Sequence, residues 1–91
     1  MAGETTALVG ALRELLGNVY GMYFRAHSAH WNVEGPNFAE YHGFLGTFYE
    51  AVFDQTDAIA EHIRALGSYP PTSFKLKSSI VVHIILSLYS S

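Results

Sequence analysis

Ninety-one residues allow at most one domain, and a formal net charge of −3 with 14% charged residues makes the chain mildly acidic. Residues 1–61 carry −6, eight acids against Arg13 and Arg25, while Arg64, Lys75 and Lys77 give the remainder +3. An acidic body attracts cations and repels nucleic acid, and the absence of cysteine excludes both a disulfide framework and a thiolate metal site.

The opening Met1-Ala2-Gly3-Glu4-Thr5-Thr6 has no basic stretch leading into an apolar core, so no signal peptide is expected. Apolar residues then recur at Leu8, Leu12, Leu15, Val19, Met22 and Ala26, in steps of four and three. That spacing predicts a long amphipathic helix over about residues 5–33, with His30 continuing the stripe. Glu34-Gly35-Pro36-Asn37 reads as a turn. A second stripe, Leu45, Tyr49, Val52, Thr56, Ile59, Ile63 and Leu66, predicts another helix over about 37–66, stopped by Gly67.

The last residues have a different texture. Ser68-Tyr69-Pro70-Pro71 cannot continue a helix, Thr72-Ser73-Phe74 can open a short turn, and the β-branched stretch Ser79 to Leu88 fits neither helical nor strand periodicity. The expected organisation is an all-α hairpin over residues 1–74 followed by a divergent apolar tail over 75–91. The apolar run Ile80 to Leu86 is broken by His83 and is too short to span a bilayer, so a soluble, cytoplasmic protein with no membrane partner is expected. A hairpin of two helices has no enclosed interior. Phe24, Phe38, Phe44, Phe48 and Phe53 should therefore pack as ordinary core against other helices or other chains.

Four residues carry a possible chemistry. His30 lies six residues before Pro36 and His42 six after it, so an antiparallel hairpin brings two imidazoles together, a donor pair suited to Fe, Zn or Cu. Asp57 and Glu61 stand one helical turn apart, but about 22 Å of straight helix separates His42 from Asp57 at 1.5 Å per residue. A second chain would have to supply the carboxylates. Two second helices packed antiparallel about a two-fold axis near residues 50–51 would place His42 of one against the Asp57/Glu61 end of the other. Taken singly, a histidine on an apolar stripe is ordinarily a hydrogen-bonded core residue and two acids a solvated helix face. Spacing alone leaves the metal reading and these ordinary readings evenly matched.

The run Ala29-His30-Trp31-Asn32-Val33-Glu34-Gly35-Pro36-Asn37-Phe38, then Tyr41-His42-Gly43-Phe44-Leu45, then Asp54-Gln55-Thr56-Asp57-Ala58-Ile59-Ala60-Glu61-His62 with Leu66-Gly67, closely resembles the Dps family of ferritin-like mini-ferritins. The resemblance covers about Leu8 to Phe74. It implies a ferritin-like fold in which this chain is the first helical hairpin, helices A and B, of a four-helix bundle. It further implies a homo-oligomer, a hollow dodecamer in the family, with a two-fold interface through the second helix. There Fe(II) would be oxidised by hydrogen peroxide or dioxygen and stored as ferric iron, with Zn as a substitute ion. The resemblance assigns His30 and His42 of one chain and Asp57 and Glu61 of the other to the ferroxidase site, and places Trp31 near it. As an oxidisable ring Trp31 suits radical interception, and as an apolar surface it suits interface packing.

Two departures stand out. The family usually has a further aspartate where this chain has Gly46, which leaves the site one anionic ligand short and admits a small role for Glu50, one turn farther on. Nothing after Lys75 resembles the family's last two helices, an ending expected of a truncated or frame-shifted product or a fragment. Three functions follow as alternatives: a ferroxidase if the assembly forms, a catalytically impaired fragment acting only as an assembly or interaction module, and a DNA-protecting module. The last is disfavoured because no Lys or Arg precedes Arg13.

Overall fold

The computed structural model describes residues 2–73, which form an antiparallel pair of helices, α1 (Ala2–Asn32) and α2 (Phe38–Ala65). At 1.5 Å per residue they run about 46 and 42 Å. The tail over 75–91 and Phe74 lie outside the described residues. Helix α1 starts a few residues before the apolar stripe predicts. Its first turn carries Glu4, and an acid there is stabilised by the exposed N–H groups and positive end of the helix dipole, without any need for an apolar residue.

Pro36 cannot donate to a continuing helix and Gly35 takes a positive φ of 107°, so the chain reverses between Val33 and Asn37. The Phe38 N–H donates to Gly35 O at 3.1 Å and the Tyr41 N–H to Asn37 O at 3.1 Å, which starts α2. At its other end Gly67, with φ 87°, makes the predicted stop. Gly67 N–H donates to Arg64 O at 3.0 Å and Ser68 N–H to Ile63 O at 3.2 Å, the paired bonds of a Schellman cap. Beyond it Arg13 donates from Nε and Nη2 to Tyr69 O at 3.3 and 2.8 Å, and the Arg64 guanidinium lies 4.2 Å from the Tyr69 ring centre. This clip ties the segment after α2 to the first half of α1.

Val9, Leu16 and Ile63 form the buried cluster, flanked by Leu12, Ile59, Ala60 and Leu66; nearer the turn Ala26, Ala29 and Leu45 are buried. Short side chains at a helix contact permit close approach of the axes, which places the turn end of the hairpin under tight geometry. On α2 the buried residues Leu45, Thr56 and Ile63 are those of the predicted stripe. On α1 the face is rotated. Val9 and Leu16 point inward, whereas Leu8 and Leu15 stay 48% and 47% exposed. Apolar residues occupy both 8 and 9, and both 15 and 16, so periodicity alone does not choose between the two edges.

Phe24, Phe38, Phe44, Phe48 and Phe53 remain 36–57% exposed within the single chain. Two helices cover only one stripe of each other, which leaves these rings for further packing. Among the described residues no helix is long and apolar enough to cross a membrane.

Two substitutions should move stability in opposite directions. Ile63→Ala removes a fully buried side chain and should cost about 2–5 kcal/mol. Gly43→Ala, where an added Cβ meets nothing within 4 Å, should gain roughly 0.5–1 kcal/mol through helix propensity. Urea unfolding followed by helical circular dichroism measures both.

Candidate metal centre at the hairpin tip

His30 sits in the last turn of α1 and His42 near the start of α2, so the turn places them opposite one another. Their rings stack with centroids 3.6 Å apart and planes 22° apart. Each is anchored by the other's backbone: His30 Nδ1 lies 2.7 Å from His42 O, and His42 Nδ1 lies 2.9 Å from His30 O. A carbonyl oxygen only accepts, so in each case Nδ1–H is the donor. The carbonyls of the last turn of a helix lack an intrahelical partner, and His42 satisfies one of them. A neutral imidazole that donates from Nδ1 carries its lone pair on Nε2. Histidines that bind metals are commonly held in this way, by a backbone acceptor on the nitrogen away from the ion.

The surroundings of the pair are aromatic. Phe38 stacks on His42 at 4.9 Å, and Tyr49 presents an edge contact to His30 at 5.3 Å. His27 stacks on Tyr49 at 3.9 Å, lies 4.2 Å from the Trp31 ring, and its Nδ1 is hydrogen-bonded to the Tyr23 hydroxyl at 3.1 Å. Tyr23 in turn packs on Phe53 at 4.8 Å. This file of rings was missed as a unit by reading the sequence for ligands. Its signal lies in the spacing: Tyr23, His27 and His30 step by four and three along α1, and His42, Gly46, Tyr49 and Phe53 by four, three and four along α2.

The fold joins the two histidines and keeps the two acids apart from them. Asp57 and Glu61 are exposed on the far half of α2, and Glu50 is exposed between. Trp31 is 60% exposed. Among the described residues no group of three or more His, Asp or Glu could hold a metal ion. One chain therefore presents two imidazoles at the hairpin tip and, separately, two carboxylates one turn apart farther along the same helix.

The ferritin-like domain family matches this chain over residues 9–83. Among curated relatives, a DNA protection during starvation protein of Halobacterium salinarum is 39% identical over 89% of this chain and 46% of its own length. A protein of the same name from Agrobacterium fabrum is 34% identical over 81% of this chain and 46% of its own, and an uncharacterized low temperature-induced protein of Nostoc is 35% identical over 74% and 37%. The chain thus spans less than half the length of each of these relatives. No solved structure matches it. The match over most of the chain, the paired helices and the starvation-protein relatives agree: the chain belongs to the ferritin-like family, on its Dps side.

Proposed function

We propose that this chain works as a mini-ferritin, binding Fe(II) between two copies of itself and oxidising it with hydrogen peroxide or dioxygen, the ferric product being stored inside an assembly. The observation that carries this reading is the reciprocal anchoring of His30 and His42, which fixes both imidazoles with Nδ1 occupied and Nε2 available as a donor. Asp57 and Glu61 of a second copy complete the donor set. The midpoint between residue 42 and the pair 57/61 falls at residues 50–51, where a two-fold axis would bring each histidine pair to the other chain's acids and generate two equal sites.

Two neutral imidazoles and two carboxylates bring a charge of −2, which balances Fe(II) and leaves one positive charge after oxidation. Zn(II) suits the same mixed nitrogen and oxygen donors and would compete. In the peroxide reaction two Fe(II) ions each give up one electron, and hydrogen peroxide takes both electrons and two protons to leave as two waters. The site tolerates one cation better than two, because Gly46 supplies no carboxylate. Glu50, exposed and one turn beyond Gly46, is the nearest acid on α2 able to take a minor share.

A second reading is favoured by the exposed aromatic side chains on both helices: the chain acts as an assembly or interaction module that pairs with copies or longer relatives through those surfaces, with impaired catalysis. DNA binding draws no support from residues 1–61, which carry −6.

Replacing both His30 and His42 by Ala should slow rapid Fe(II) oxidation by more than the roughly 10–100-fold that loss of an outer-shell partner costs, read from the absorbance of the ferric product. An unchanged rate would remove the histidines from the site. Sharing between chains has its own test. Mixing the His30→Ala/His42→Ala protein with an Asp57→Asn/Glu61→Gln protein, each inactive alone, should restore about a quarter of the wild-type sites after random exchange of subunits, since each mixed pair holds one intact site. No recovery despite demonstrated exchange would sink the inter-chain site. Glu50→Gln should lower the rate slightly; iron binding and oxidation identical to wild type would take Glu50 out of the chemistry.

A further inference from the structure

We infer that Tyr23, paired with His27, is an internal electron donor for the peroxide reaction, its phenol supplying the second electron when a single Fe(II) is bound. The inference deepens the mini-ferritin reading above and rests on it. Hydrogen peroxide takes two electrons, and one Fe(II) gives one. With glycine at position 46 the site holds a second cation poorly, so a donor elsewhere in the protein has to complete the count.

The file of rings beside the histidines leads to such a donor. Between ring centres, His30 meets the edge of Tyr49 at 5.3 Å, Tyr49 lies 3.9 Å from His27 with the planes 11° apart, and Tyr23 stands 6.1 Å from Tyr49. Tyr23 and His27 are one turn apart on α1, which brings the phenol hydroxyl to 3.1 Å from His27 Nδ1. The phenol is a stronger acid than a neutral imidazole, so its O–H donates to the Nδ1 lone pair. Removing an electron from a phenol makes that proton strongly acidic. An imidazole already hydrogen-bonded to it takes the proton with no rearrangement of heavy atoms, which eases the oxidation of Tyr23. Tyr23, His27 and Tyr49 are half-buried, whereas Trp31, 4.2 Å from His27, is 60% exposed. A radical on Tyr23 is enclosed by Phe53 at 4.8 Å and Tyr20 at 5.6 Å; one on Trp31 meets solvent.

Fe(II) gives one electron and becomes Fe(III). Tyr23 gives the other, its O–H bond breaks, and the proton moves to His27 Nδ1. Hydrogen peroxide takes both electrons with two protons from solvent, its O–O bond breaks, and two waters form. A second Fe(II), arriving after the first product has moved on, returns one electron to the Tyr23 radical while His27 gives the proton back. Two irons are still consumed per peroxide, one after the other at a single position.

The test uses the full chain and three conservative variants. Tyr23→Phe and Tyr49→Phe keep the ring and lose the hydroxyl; His27→Gln keeps a hydrogen-bond acceptor but loses the base. One Fe(II) per site is mixed with hydrogen peroxide and freeze-quenched for electron paramagnetic resonance. Wild type should give a tyrosyl signal that narrows with ring-deuterated tyrosine. That signal should persist in Tyr49→Phe and be lost in Tyr23→Phe, where hydroxyl-radical adducts of a spin trap should rise instead. An undiminished signal in Tyr23→Phe, or no tyrosyl signal in a wild type that oxidises Fe(II), would overturn the proposal. A second arm uses no metal. Azide radicals from pulse radiolysis oxidise Trp31, the single tryptophan, and the hole should pass to Tyr23, read as decay of the tryptophanyl band with growth of the tyrosyl band. Tyr23→Phe should abolish that growth, and His27→Gln should slow it and remove its solvent deuterium isotope effect. Growth unchanged in these two variants would overturn the pairing. If the wild type oxidises no Fe(II), the mini-ferritin reading falls and the peroxide step with it; the metal-free arm then decides the Tyr23–His27 pair alone, which separates the two failures.

Discussion

The exchange of hydrogen bonds between His30 and His42 governs what this hairpin can do. Each imidazole spends one nitrogen on the opposite helix's backbone, so the same pair of bonds ties the ends of α1 and α2 together and sets which nitrogen remains available. A side chain that flexes freely loses rotamer entropy when it captures an ion. These two have lost it already on folding.

A second constraint acts over the whole molecule. Two helices bury one stripe each, and the buried set here is small: Val9, Leu16 and Ile63 toward the open end, Ala26, Ala29 and Leu45 toward the turn. A core of this size offsets only part of the conformational entropy of ordering about seventy residues. The large rings left half-exposed on both helices are the complement of that shortfall. In the proposed assembly the partner that covers apolar surface would also carry Asp57 and Glu61, so that assembly and chemistry would share one requirement.

Much of this was legible in the residues. Helix α2 follows its stripe through Leu45, Thr56 and Ile63, and the stop at Gly67 follows from its need for a positive φ, because these are decisions made within one turn of backbone. The meeting of His30 and His42 was legible too, since equal distances from one proline fix which residues face each other. The rotation of α1 was not. Leu8/Val9 and Leu15/Leu16 offer two adjacent apolar edges, and the choice between them depends on how α2 packs, which no local pattern encodes. Gly46 was visible only as a missing carboxylate. Its contact with the His30 ring joins residues sixteen apart on different helices and appears only once both are placed.

The clip between Arg13 and the Tyr69 carbonyl carries a consequence for alignment. With the histidine exchange at the turn end of the hairpin and this guanidinium latch joining Arg13, in the first half of α1, to Tyr69 just beyond α2, the pair is fastened at two well-separated points. A slip of one helix past the other by a single turn, the cheapest error open to two long rods with repetitive apolar seams, would have to break both fastenings at once.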